Sequence, residues 1–174
     1  MNEKILIFGF KPYGKYKTNI SENIINKLKN ININKKIILS TKFNKNKIIK
    51  KIKKTNPDII IGIGQHSRVR KIRNEIKAKN IIKLKREKKS KLINKNSKKG
   101  LFTNLKINKM KQTTVSYNAG TYVCNFTMFN IMDYIIKNNK DTKFAFLHIP
   151  KDYNIRKGIN IINKIINNID LNKI

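Results

Sequence analysis

The chain has a single cysteine, Cys124, in the run SYNAGTYVCN at residues 116–125. Ala119 and Gly120 are small enough for a tight turn, and the apolar spacing of Phe126, Met128, Phe129 and Met132 predicts a helix beginning near Cys124. A thiol at a helix start meets unpaired backbone N–H groups and the positive end of the helix dipole. Both favour a thiolate and so lower the thiol pKa, and the same N–H groups can hold the oxyanion of a tetrahedral intermediate. A thiolate that attacks a carbonyl also needs a proton donor for its leaving group. His148 sits within the apolar run KFAFLHI at 143–149, just before Pro150, which predicts a side chain at the C-terminal edge of a sheet, where the sites of open α/β sheets gather. Such a pair suits acyl transfer, with an acid or amide as third member to orient the imidazole. With nine acidic residues in the whole chain, the candidates are few. Taken singly, each residue has a plainer reading: a buried small hydrophobe for the cysteine, a satisfied structural side chain for the histidine. There is no C-x-x-C pair and only His66 and His148 offer imidazole, so no metal and no cofactor is expected.

The elements that must position these residues follow from the apolar pattern. KILIFGF at 4–10 reads as a strand buried on both faces, followed by a turn at Lys11-Pro12-Tyr13-Gly14. Ser21 is expected to cap a helix carrying Ile24, Ile25 and Leu28. Further strands are expected near 36–40, at 58–62 and at 143–149, and helices around 45–54 and 155–169; residues 70–80 look extended. Short apolar strands alternating with helices predict an α/β fold, a single domain over 1–174 built as a three-layer αβα sandwich around a twisted, mostly parallel sheet. Residues 81–111, dense in Lys and Asn with no sustained period, read as a mobile surface loop.

The net charge of +32 brings nucleic acid or another polyanion into consideration. Of the 41 basic residues only Arg68, Arg70, Arg73, Arg86 and Arg156 are arginine. Lysine, asparagine and isoleucine dominate together, and all three are encoded by codons of A and T alone. An AT-rich genome explains all three enrichments, whereas selection for nucleic acid explains only the lysines and favours arginine. Basic residues are spread throughout, with no aromatic-interleaved platform, so nucleic acid is expected to bind only non-specifically. No apolar stretch reaches the roughly eighteen residues of a membrane span, and the N-terminus lacks the basic start and apolar length of a signal peptide; a cytoplasmic protein without membrane association is expected.

Four segments, in order, resemble the pyroglutamyl peptidase I family. GFKPYG at 9–14 with Asn19 resembles its N-terminal pattern, and Pro57-Asp58 through Gly64-Gln65 its strand-to-loop segment. Ile72, Glu75, Ala78 and Asn80 resemble the motif that contains the catalytic glutamate, and SYNAGTYVCN with HIP at 148–150 resembles the nucleophile and histidine motifs. The resemblance implies a thiol exopeptidase that removes an N-terminal pyroglutamyl residue from peptides, with Cys124 as nucleophile, His148 as acid and base, and Glu75 orienting His148. It implies lactam-ring contacts from Phe10 and Tyr13, further substrate contacts from Asn19, Gln65 and Val123, a basic group near the oxyanion at Lys85 or Arg86, and association of copies into a homo-oligomer. Tyr13 stands where the family usually has Phe, and His66-Ser67-Arg68 replaces its usual glycine-rich turn. A weakly active or inactive relative, and a basic protein that binds polyanions or RNA, are the alternative functions.

Overall fold

Alternation along the first apolar run sets the architecture. Strand β1 (Ile5–Phe10) turns Ile5 and Ile7 to one face and Leu6, Phe8 and Phe10 to the other, and all five are buried. A strand apolar on both faces needs cover on both. The Ile5 face is covered by helices α1 (Ile20–Lys27) and α4 (Ile155–Leu171), the Phe8 face by α2 (Lys45–Thr55) and α3 (Val123–Lys137). This computed structural model describes residues 3–83 and 89–171. Among them no helix is long and apolar enough to cross a membrane.

The remaining strands of the main sheet are β2 (Ile33–Leu39), β3 (Ile59–His66), β4 (Ile72–Glu75), β9 (Thr113–Ser116) and β10 (Lys143–Pro150). Their order is β2-β1-β3-β10-β4-β9. Neighbours run parallel except β10 and β4, which are antiparallel. The predicted α/β sandwich with a mostly parallel sheet is therefore the fold. The central strands are the ones the sequence marks as continuous apolar runs, because burial on both faces leaves no polar alternation to read.

Two local expectations change. Helix α1 is capped by Asn19, whose side chain accepts from the Ser21 N–H at 3.0 Å. Ser21 lies inside the first turn, and its hydroxyl accepts from the Phe10 N–H at 3.0 Å, tying the helix to the end of β1. Residues 81–111, expected to be a mobile surface loop, carry short strands in their described part. Strands β5 (Lys77–Lys79) and β8 (Gly100–Phe102) pair antiparallel, as do β6 (Ile81–Ile82) and β7 (Lys91–Leu92). Asn80 accepts from the N–H groups of Ile93 and Asn94 and donates to the carbonyls of Asn94 and Ser97. The Asn94 and Ser97 side chains in turn donate to the buried carboxylate of Asp133 on α3. Polar anchors hold this segment, which is why apolar periodicity does not reveal it.

Candidate active site

The parallel pairing of β3 with β10 sets His148 beside Gly64, and Pro150 beside His66. His148 shares a face with Phe144 and Phe146, the face covered by α3, while Leu147 and Ile149 point into the opposite core. On the other side of β10, antiparallel β4 pairs Arg73 with His148. Ile72 faces the α1/α4 core, so the odd step along the strand puts Glu75 on the His148 face. Glu75 is fully buried, and its Oε1 lies 2.8 Å from His148 Nδ1. Burial works to raise the Glu75 carboxyl. The hydrogen bond and charge of His148, the Ser116 hydroxyl and Arg73 outweigh it and hold the group below its ordinary value. An ionised Glu75 keeps the proton on Nδ1 and leaves Nε2 of His148 as the acceptor.

Cys124 is the second residue of α3, as predicted. Asn118 accepts from the Gly120 N–H at 3.2 Å, and Gly120 has φ +83, a left-handed turn that lets the chain enter the helix. Tyr122, the residue before the helix, makes no side-chain capping bond, so the first N–H groups of α3 remain available. The next residue, Asn125, is fully buried; its amide accepts from Lys79 N and donates to the carbonyls of Lys79 and Ile81. That three-bond clamp fixes the register of the helix start against β5 and β6. A methyl group built on Gly64 would lie 2.8 Å from Cys124 Sγ and 3.2 Å from His148 Cδ2, the carbon bonded to Nε2. Sulfur and imidazole therefore border one methyl-sized space above β3.

The residue as a whole is half-buried, but its sulfur turns inward over Gly64. Burial, followed by the charge of Glu75, pushes the thiol up to about 12. The sequence predicts the opposite, a thiol lowered by the helix start. Desolvation of the sulfur outweighs that contribution and favours the thiol at neutral pH.

These groups open into a cleft of about 370 Å³. Phe10, Tyr13, Asn19, Gln65 and Val123 all line it. Phe10 is also a core residue, edge-on to Phe8 at 5.7 Å. Asn19 has both ends of its amide in use: besides capping α1 it donates to the Lys11 carbonyl, which fixes the loop carrying Tyr13. Gln65 Oε1 accepts from the Ile20 N–H. Tyr13 is raised by burial and by the Cys124 charge against a bond to Gln65, and its ring meets those of Tyr16 and Tyr122. Lys85 and Arg86 lie outside the described residues. Residues without a predicted role also shape the site: Gly64, His66, Tyr122 and Asn125. The signal for Gly64 is the pair of glycines within the apolar run of β3, where a missing side chain marks close approach by another group.

The sequence matches the family model described as pyroglutamyl peptidase over residues 3–167. The chain belongs to the pyroglutamyl peptidase family. A pyrrolidone-carboxylate peptidase from Brachyspira hyodysenteriae is 33% identical over 167 residues, covering 84% of this chain and 83% of the relative. One from Thermosipho melanesiensis is 33% identical over 170 residues, covering 87% and 84%. Among solved structures, pyroglutamyl peptidase I from Bacillus amyloliquefaciens superposes with a TM-score of 0.81 at 26% identity, covering 97% of this chain and 93% of that one. A mutant pyrrolidone carboxyl peptidase from Pyrococcus furiosus superposes with a TM-score of 0.84 over 98% of this chain and 99% of its own; at 19% identity it bears on the fold alone.

Proposed function

We propose that this chain is a cysteine exopeptidase that hydrolyses the amide bond after an N-terminal pyroglutamyl residue, with Cys124 as nucleophile, His148 as general base and acid, and Glu75 as the residue that orients His148. The observation that carries this reading is the alignment of sulfur, imidazole and buried carboxylate beside one cleft. Cys124 Sγ attacks the pyroglutamyl carbonyl carbon as its proton passes to His148 Nε2. The N–H groups at the start of α3 face the oxyanion that forms. As the C–N bond breaks, His148 returns the proton to the leaving amine, and a thioester remains on Cys124. Water, deprotonated by His148, then attacks the thioester, and the sulfur leaves and recovers the proton. Phe10, Tyr13 and Val123 offer the apolar contacts that suit a flat lactam ring. Gln65 and Asn19 act mainly by fixing the walls, given the bonds their amides already make. A small, shaped pocket of this kind rejects open-chain residues by leaving polar groups unpaired.

The test is release of 7-amino-4-methylcoumarin from its pyroglutamyl amide, with prolyl and glutamyl amides as comparison. Cys124→Ala abolishes release, while Glu75→Gln lowers kcat by about 100-fold or more and leaves KM near its original value. No release by the unmodified protein, or full activity in Cys124→Ala, overturns the reading.

A further inference from the structure

The leaving side of the cleft carries a charge that the mechanism does not use. His148 must hand its proton to the amine of the departing peptide, so the residue after pyroglutamate leaves past His148. There the His66 ring stands edge-on to His148, with centroids 5.0 Å apart and planes at 86°. The turn that follows is pinned at both ends. His66 Nδ1 accepts from the Arg68 N–H at 3.2 Å, and the His66 carbonyl accepts from the Lys151 N–H at 3.2 Å. Arg68 thus begins from a fixed backbone position, and it is exposed at the cleft lining. None of the described residues lining the cleft is an acid. Among the described residues, ion pairs engage Lys45, Lys137, His148 and Lys151, and none reaches Arg68. His66 and Tyr13, beside it in the lining, carry no charge near pH 7. Burial, then the charges of His148 and Arg73, push His66 down to about 4, and Tyr13 is raised.

We propose that Arg68 is a specificity-determining residue that favours pyroglutamyl peptides with an acidic residue next to the pyroglutamate. The inference rests on the reading of the chain as a pyroglutamyl peptidase. Arginine presents a planar, permanently charged fork that suits a carboxylate, and among the described residues Arg68 has no ion-pair partner to give up before binding one. A basic side chain at the same substrate position meets Arg68 as a like charge.

The experiment compares kcat/KM for three pyroglutamyl tripeptides that differ only in having Glu, Gln or Lys second, alongside the pyroglutamyl coumarin amide. At low salt the unmodified protein prefers Glu over Lys by about three- to tenfold, with Gln between. Arg68→Ala brings that ratio towards one, Arg68→Glu reverses it, and Lys140→Ala, an exposed change beyond the far end of α3, leaves it in place. If the coumarin amide is hydrolysed but the ratio is near one, or survives Arg68→Ala, this inference alone is overturned. If the ratio falls as far in Lys140→Ala, the selectivity belongs to the general positive field and not to Arg68. If neither the amide nor any peptide is cleaved, the peptidase reading itself fails.

Discussion

Gly64 is the residue through which the site can be tested with least chemistry. A side chain there meets Cys124 Sγ at 2.8 Å, Phe146 Cζ at 2.9 Å and His148 Cδ2 at 3.2 Å, and Phe146 is locked in the core. The sulfur and imidazole are the atoms left to move. Gly64→Ala is expected to lower kcat by about 100-fold, since a displacement near 1 Å is that costly to reacting groups, while far-ultraviolet circular dichroism stays unchanged. The thiol supplies a second test. Its pKa is raised, so the reactive thiolate is scarce at neutral pH and grows as pH rises towards about 12. Alkylation of Cys124 by iodoacetamide is expected to be slower than that of free cysteine at pH 7.5 and still climbing at pH 10. A plateau below pH 7 would mean a lowered thiol, as the helix start by itself predicts.

At the scale of elements, α3 matters more for where it begins than for what it covers. Asn125, itself fully buried, holds that beginning with part-buried bonds of 2.8, 2.9 and 2.9 Å to Lys79 and Ile81. Asn125→Ala removes the three and strands backbone groups, at a cost of about 2–3 kcal/mol. Thermal unfolding should shift down by roughly 5–10 °C, and kcat should fall because the helix start is free to move. At the other end, Asn138 donates to Tyr134 O in an exposed position. Asn138→Ala is expected to shift the midpoint by less than about 2 °C. Differential scanning calorimetry on the pair separates a clamp from an ordinary surface bond. The central strands and all four helices were readable from apolar spacing. Strand β9 and the pairings β5–β8 and β6–β7 were not, although β5 lies within the stretch 70–80 read as extended: β9 exposes Thr114 and Val115, and the paired strands have only two or three residues each, too few to leave a period.

Across the whole molecule, +32 on 174 residues is a source of self-repulsion. Among the described residues Asp133 pairs with both Lys45 and Lys137, and Asp152 with Lys151; nine acids in the whole chain cannot balance 41 basic residues. Raising NaCl from about 20 to about 300 mM screens that repulsion over distances near the Debye length. The unfolding midpoint is therefore expected to rise with salt, and RNA binding seen at low salt to weaken by orders of magnitude. Turnover of the uncharged coumarin amide should change little over the same range. RNA affinity that withstands salt would instead point to a specific nucleic-acid function.

Sequence alone was enough for the class of fold and the family resemblance, and it singled out Cys124 and His148 as the pair proposed to react, because apolar runs and a helix-start cysteine are local patterns. The choice among the acids came from motif resemblance; the contact of Glu75 with His148 depends on β4 running antiparallel beside β10, which no local spacing encodes. Only the tertiary structure decided the burial of the sulfur, the need for glycine at 64 and the place of His66 and Arg68 at the cleft. Each depends on how much water and which neighbours reach a group once distant strands are packed, and that is a property of the assembled interior.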